Sequence, residues 1–206
     1  GTSRAWQPRS CGFTAHPNIF EAESGYVETF FPKHFDYDVM HAFGRPYRCV
    51  EPGIAIKFFP SKYPTHFAIE AALDVRRAIR DPRAIREVRL LTPEITDADR
   101  PSPRSGLEGK FSFQYVTAVA LIEGRIGIDS FSDEIRFRDD VVALLDKVRV
   151  MRDPTRSKDT RDMYVDIEVE ADGAVHTRRC SGPRGTWGLP VDAEQHRAKL
   201  ADCLAI

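Results

Sequence analysis

The chain reads as a small α+β domain with a short tail at each end, and three observations predict it. Short apolar or alternating runs are interleaved with amphipathic runs at helical spacing. Asp172-Gly173 joins two alternating segments in the manner of a β-hairpin. A hydrophobic content of 42% over 206 residues supports one sizeable core. The order expected is strand, helix, strand, helix, helix, strand and hairpin, spanning roughly 130 residues, a common domain size.

The first strand and helix organise the rest. Ile54 to Phe59 is a short apolar strand carrying one charge, Lys57, where a buried strand normally has none. A helix starts near Pro64 and Thr65, with Ala68, Ala72, Val75 and Ile79 on one face and Glu70, Asp74, Arg77 and Arg80 on the other. A helix start leaves unpaired N–H groups and a partial positive charge. With Lys57, Lys62 and His66 beside it, and Ser61 in the same loop, the turn is a candidate carboxylate or phosphate site. The alternative is that Lys57 snorkels to solvent and His66 merely packs.

The remaining elements follow in order. Residues 1–46 are rich in Pro, Gly and aromatics, with a short helix from Asp36 to Phe43 closed by Gly44. Phe13, Ile19, Phe20, Tyr26, Phe30, Phe31 and Phe35 lack periodicity and are expected to pack on something outside this segment. Ile85 to Thr92 is a half-buried strand, and the polar stretch from Pro93 to Gly109 a mobile loop. Lys110 to Glu123 is a helix apolar on most sides, ended by Gly124. Asp139 and Asp140 open a helix with Val141, Leu144, Leu145 and Val148 inward, before a strand over Val148 to Arg152. In the hairpin, Val165 to Glu170 returns as Ala174 to Cys180, with Asp166 opposite Arg179. Asp192 caps a last helix running through Leu204.

Composition excludes several classes of function. Thirty Lys and Arg against 31 Asp and Glu give a net charge of −1, which disfavours a general nucleic-acid binder. No window approaches the roughly 18 apolar residues of a membrane span, and no signal-peptide pattern opens the chain, so a cytoplasmic protein without membrane association is expected. Cys11, Cys49, Cys180 and Cys203 are dispersed and read as free thiols. The lack of an initiating Met and a final helix that stops at Ile206 read as a fragment.

Common catalytic motifs are missing. There is no Gly-rich phosphate loop, no Gly-x-Ser-x-Gly and no His-Glu-x-x-His, and the six histidines are isolated, so no metal site is expected. Lys57, His66 and Tyr115 remain. A Tyr inside an apolar helix must find a partner for its hydroxyl, either a core carbonyl or a group in a cavity. The acidic strand face Asp166, Glu168 and Glu170 is expected to be solvated.

Two blocks, Gly53 to Pro60 with Thr65 to Leu73, and Lys110 to Gly124 around Phe113-Gln114-Tyr115, resemble the MmgE/PrpD family. That family contains 2-methylcitrate dehydratases, cis-aconitate decarboxylases and an iminodisuccinate epimerase. The resemblance runs from about Phe13 to the C-terminus. It implies a large all-helical domain built from both ends of a longer chain, a small α+β lid between them, and a homodimer. Residues 1–47 then correspond to the end of the helical domain, 48–182 to the lid and 183–206 to the return segment. Lys57 and Tyr115 resemble the lid's catalytic lysine and tyrosine, with His66, Ser61 and Lys62 as substrate-binding candidates. The implied activity is a cofactor-independent carbon–oxygen lyase of the 2-methylcitrate dehydratase type, acting on a small di- or tricarboxylate. Decarboxylation, epimerisation or a catalytically silent binding or dimerisation module are the alternatives.

Overall fold

The computed structural model describes residues 12, 14–42, 44, 47, 49–51 and 53–204. The chain divides into two compact units, Gly1–Glu51 and Pro52–Ile206. In the first, α1 (Tyr26–Phe30) and α2 (Tyr37–His41) are single turns. The Asp36 side chain caps α2 by accepting from the Asp38 amide. Aromatic rings follow one another through this unit, Phe20 on Tyr26, Tyr26 on Phe30 and Phe31, and Phe31 on Phe35, at centroid separations of 5.0–6.0 Å. They stay largely exposed, Phe30 at 66%. The expectation for Phe13 lies outside the described residues.

The second unit is the mixed α+β domain. Its elements are α3 (Thr65–Arg76), β1 (Glu87–Pro93), α4 (Gly106–Gly109), α5 (Phe113–Glu123), α6 (Asp133–Arg136), α7 (Asp139–Leu145), β2 (Val148–Asp153), β3 (Val165–Ala171), β4 (Ala174–Cys180) and α8 (Ala193–Leu204). The sheet order is β2-β1-β3-β4, parallel between β1 and β2 and antiparallel elsewhere. A parallel neighbour demands a long crossover, and residues 94–147 provide it with α5 as the principal helix. Val88, Leu90, Val165, Ile167 and Val169 are fully buried on the sheet, and α3 and α5, packed on each other, supply Phe67, Ile69, Val75, Val116 and Leu121 to the same core.

The hairpin has the expected register, with Asp166 opposite Arg179 and Val169 opposite His176. Asp166 is not simply solvated. It accepts from Arg179 Nε at 2.6 Å and from Arg156 at 2.7 Å, while Glu168 stays exposed. α5 ends where expected, at Gly124 with φ 70°. Asp192 and Gln195 cap α8 reciprocally, Gln195 N donating to Asp192 Oδ1 at 2.7 Å and Asp192 N to Gln195 Oε1 at 3.0 Å.

The first expected strand does not form. Residues 53–58 carry no regular secondary structure, and among the described residues their one backbone–backbone hydrogen bond to another segment runs from Ile56 N to Gly185 O at 2.7 Å. Trp187 Nε1 donates to Gly53 O at 2.8 Å. A Cβ at Gly185 would come within 2.4 Å of Ile56 O, so this approach needs glycine there. One bond is no ladder, and Ile54 remains 76% exposed. An apolar run specifies a strand only where a sheet edge receives it.

A candidate carboxylate site at the start of α3

The turn before α3 is built by its own hydroxyls. Thr65 Oγ1 donates to Lys62 O at 2.7 Å, so it must accept from Ser61 Oγ, 2.9 Å away. Both residues are buried. The Thr65 amide donates to Lys62 O and the His66 amide to Tyr63 O, at 2.9 and 3.0 Å. These first amides are therefore occupied by the preceding turn. What the side chains of this loop offer an anion is ammonium charge.

Lys57 is exposed. Lys62 is tethered twice, its amide donating to Lys110 O at 2.8 Å and its ammonium pairing with Asp97. His66 is fully buried, edge-on to Phe59 at 5.2 Å and tilted against Tyr63 at 5.1 Å. Its Nε2 faces Ser61 O at 3.4 Å and its Nδ1 has no hydrogen-bond partner. A carbonyl only accepts, so Nε2 carries the proton of a neutral ring. Burial lowers the His66 pKa to about 4, and the charges of Lys57 and Lys199 push it the same way, against the Ser61 carbonyl. His66 is thus a neutral wall behind the lysines.

Tyr115 lies in the buried first turns of α5, where Ser112 caps the helix through Tyr115 N at 3.0 Å. Its hydroxyl donates to Ser130 O at 2.7 Å, and its ring sits 6.1 Å from Phe131. A Cβ on Gly109 would fall 2.3 Å from Tyr115 Cδ1, so the chain passes directly over the ring. Burial pushes the Tyr115 pKa up to about 12. This phenol is a donor and not a base near neutral pH. Of the two fates open to it, the carbonyl is the one observed.

Ser61, Lys62 and His66 are thus brought together, and Lys62 is linked to the α5 approach through residue 110. No hydrogen bond joins Lys57 to Tyr115 among the described residues. Tertiary structure adds groups that sequence reasoning missed. Lys199 of α8 donates to Phe58 O at 3.0 Å, and Lys110 Nζ stands 5.6 Å over the Phe131 ring. Asp97 and Arg100 come from the segment expected to be a mobile loop, which instead forms a 3₁₀ turn at Thr96–Ala98 and α4. No local pattern signals Lys199, because its partner is 141 residues away. Phe58 and Phe59 also line a cleft of about 410 Å³ with Arg76, Arg77, Arg125 and Arg184. Its arginines are already engaged, by the Ile79 carbonyl, Asp74, Asp129 and Glu70 respectively. Among the described residues, no group of three or more His, Cys, Asp or Glu could hold a metal ion, and no helix is long and apolar enough to cross a membrane.

A sequence profile of the MmgE/PrpD C-terminal domain matches residues 59–205. The chain belongs to the MmgE/PrpD family. Among characterised proteins it is similar to cis-aconitate decarboxylase of Mus musculus, 28% identical over 197 residues that cover 92% of this chain and 40% of the relative. It is also similar to cis-aconitate decarboxylase of Homo sapiens, 33% identical over 154 residues, 71% of this chain and 32% of the relative. The chain spans about two fifths or less of these relatives. The MmgE/PrpD match begins inside the loop just described and takes in α3, the whole sheet and Tyr115.

Proposed function

We propose that this chain is part of a cofactor-independent lyase acting on a small di- or tricarboxylate. The observation that carries the reading is Lys62 on the turn before α3 and the exposed Lys57 on the segment leading into it, with a neutral buried His66 that feels the Lys57 charge. Each ammonium is a point charge suited to a carboxylate, and Ser61 and His66 hold the turn that presents Lys62. Water loss, the chemistry expected first, removes a proton α to a carboxylate and expels hydroxide. CO2 loss breaks the bond between a carboxylate and the carbon bearing it, leaves the electron pair on that carbon, delocalised as an enolate into a remaining carboxylate, and ends with protonation of the delocalised carbanion at carbon. Both steps build negative charge on a carboxylate that Lys57 would stabilise electrostatically. Tyr115 would act as a hydrogen-bond donor by exchanging Ser130 O for the ligand. The two decarboxylase relatives favour CO2 loss over dehydration for this chain. Assembly as a homodimer belongs to the same reading.

Proton NMR in D2O tests it, on this chain and on a longer chain of the relatives' length, each with 2-methylcitrate, citrate, cis-aconitate and iminodisuccinate. Loss of CO2 from cis-aconitate is expected, and Lys57→Ala should lower kcat/KM by about two orders of magnitude or more, as removal of one preorganised charge does. Turnover unchanged in Lys57→Ala refutes the role of that lysine. A binding module without turnover is the outcome if every substrate is silent with both chains.

A further inference from the structure

The Lys62 ammonium is already satisfied by a carboxylate, that of Asp97, 35 residues along the chain. Two aspartates stand close together in this turn, and they are engaged differently. Asp99 is structural, accepting from Gln114 Nε2 at 2.7 Å and pairing with Arg152 at 3.2 Å. The Asp97 carboxylate meets Lys62 alone among the side chains of the described residues. Its side chain is 66% exposed, against 24% for Lys62. Arg100, which also attracts Asp97, stands 5.4 Å over the Phe111 ring, and Lys110 is joined to the Lys62 amide through its carbonyl. Asp97 is therefore a solvent-facing carboxylate paired with Lys62 and drawn towards Arg100.

We propose that Asp97 is an internal stand-in for the ligand: its carboxylate holds Lys62, and a small polycarboxylate binds by displacing it and releasing the Thr96–Ala98 turn. The proposal rests on the reading of Lys62 as a carboxylate holder. Asp97 is a positioning residue, acting through Lys62. Exposed ion pairs are weak and exchange readily, so a ligand bringing two or three carboxylates can win the exchange. The cost of displacement is subtracted from its affinity. That handicap falls hardest on ligands with a single carboxylate, which makes the contact a filter for polyvalent acids.

The test is titration calorimetry of the full chain at low salt with tricarballylate, an unreactive tricarboxylate. Variants are Asp97→Asn, Asp97→Glu, Lys62→Ala and the double variant Asp97→Asn/Lys62→Ala. Asp97→Asn should bind about two- to fivefold more tightly, the range an exposed pair represents. Asp97→Glu should behave as wild type, Lys62→Ala should bind more weakly, and the double variant should gain nothing over Lys62→Ala. A gain that persists without Lys62 would be general charge repulsion and would overturn the proposal. Unchanged affinity in Asp97→Asn with weakened binding in Lys62→Ala would overturn the stand-in alone. Equal binding by wild type and Lys62→Ala, or no binding by any variant, would remove the Lys62 reading and the proposal with it. Hydrogen exchange gives a second readout: tricarballylate should speed exchange of the 96–100 amides in wild type and leave Asp97→Asn unaffected. Unchanged or slower exchange in wild type would refute displacement.

Discussion

Acid should destabilise this protein through one buried residue, His66, beginning above the usual carboxylate range. The ring is fully buried with one nitrogen unpartnered, and its pKa lies at about 4 against an ordinary value of 6.5. Above the ordinary value the ring is neutral whether folded or unfolded, and it contributes no pH dependence. As pH falls from 6.5 towards 4 the unfolded chain takes up a proton that the folded chain refuses, so stability falls across that window. The loss amounts to about 2 kcal/mol at about pH 5 and about 3 kcal/mol below about pH 4. Urea unfolding followed by tryptophan fluorescence and circular dichroism, in half-unit steps over this window, measures it. His66→Gln is the control, since its amide can still donate to Ser61 O but does not titrate. The difference between wild type and variant should grow with acid by these amounts. Parallel curves would show that His66 is either solvated or protonated in the folded protein, and the account of a neutral wall would fail.

Other perturbations have equally definite outcomes. Tyr115→Phe leaves the Ser130 carbonyl buried without its donor, and should cost about 1–3 kcal/mol in urea unfolding; no loss would mean that water reaches this carbonyl. Arg156 is 5% exposed and bonds Leu91 O at 2.8 Å and Asp166 at 2.7 Å, with its guanidinium 4.2 Å over Tyr164. Arg156→Ala should cost about 1–3 kcal/mol, because the part-buried Leu91 carbonyl loses this donor while Asp166 keeps Arg179; a change within experimental error would refute the bridge. Burial pushes the Cys180 thiol up to about 12, whereas Cys49 and Cys203 are exposed. Iodoacetamide at mildly alkaline pH should label Cys49 and Cys203 and spare Cys180 until urea is added, as read by peptide mass spectrometry; native labelling of Cys180 would contradict its burial.

Much of the fold was legible in local pattern. The alternation from Val165 to Glu170, the Asp172-Gly173 turn and the return to Cys180 specified the hairpin and its register, because a two-residue turn leaves one way to pair the flanks. Gly124 and Asp192 marked helix ends through backbone geometry that depends on near neighbours alone. Ile54 to Phe59 misled, because its apolar run docks on residues 185–187 by one backbone bond and one indole donor. The unstructured reading of residues 93–109 missed α4, whose Ser105 cap accepts from Glu108 N at 3.1 Å.

The candidate site divides along the same line. Sequence alone placed Lys57 on an apolar run and Ser61, Lys62 and His66 at the turn and start of the helix after it, because turn residues and helical spacing mark that boundary locally. It also identified Tyr115 as a hydroxyl needing a buried partner. Only the tertiary structure decided that the partner is Ser130 O, that His66 is sealed and neutral, that the first amides of α3 are occupied, and that Asp97 and Lys199 join the loop. The reason is physical: periodicity and capping are set by neighbours in the chain, whereas burial, charge pairing and pKa depend on groups that only folding brings near.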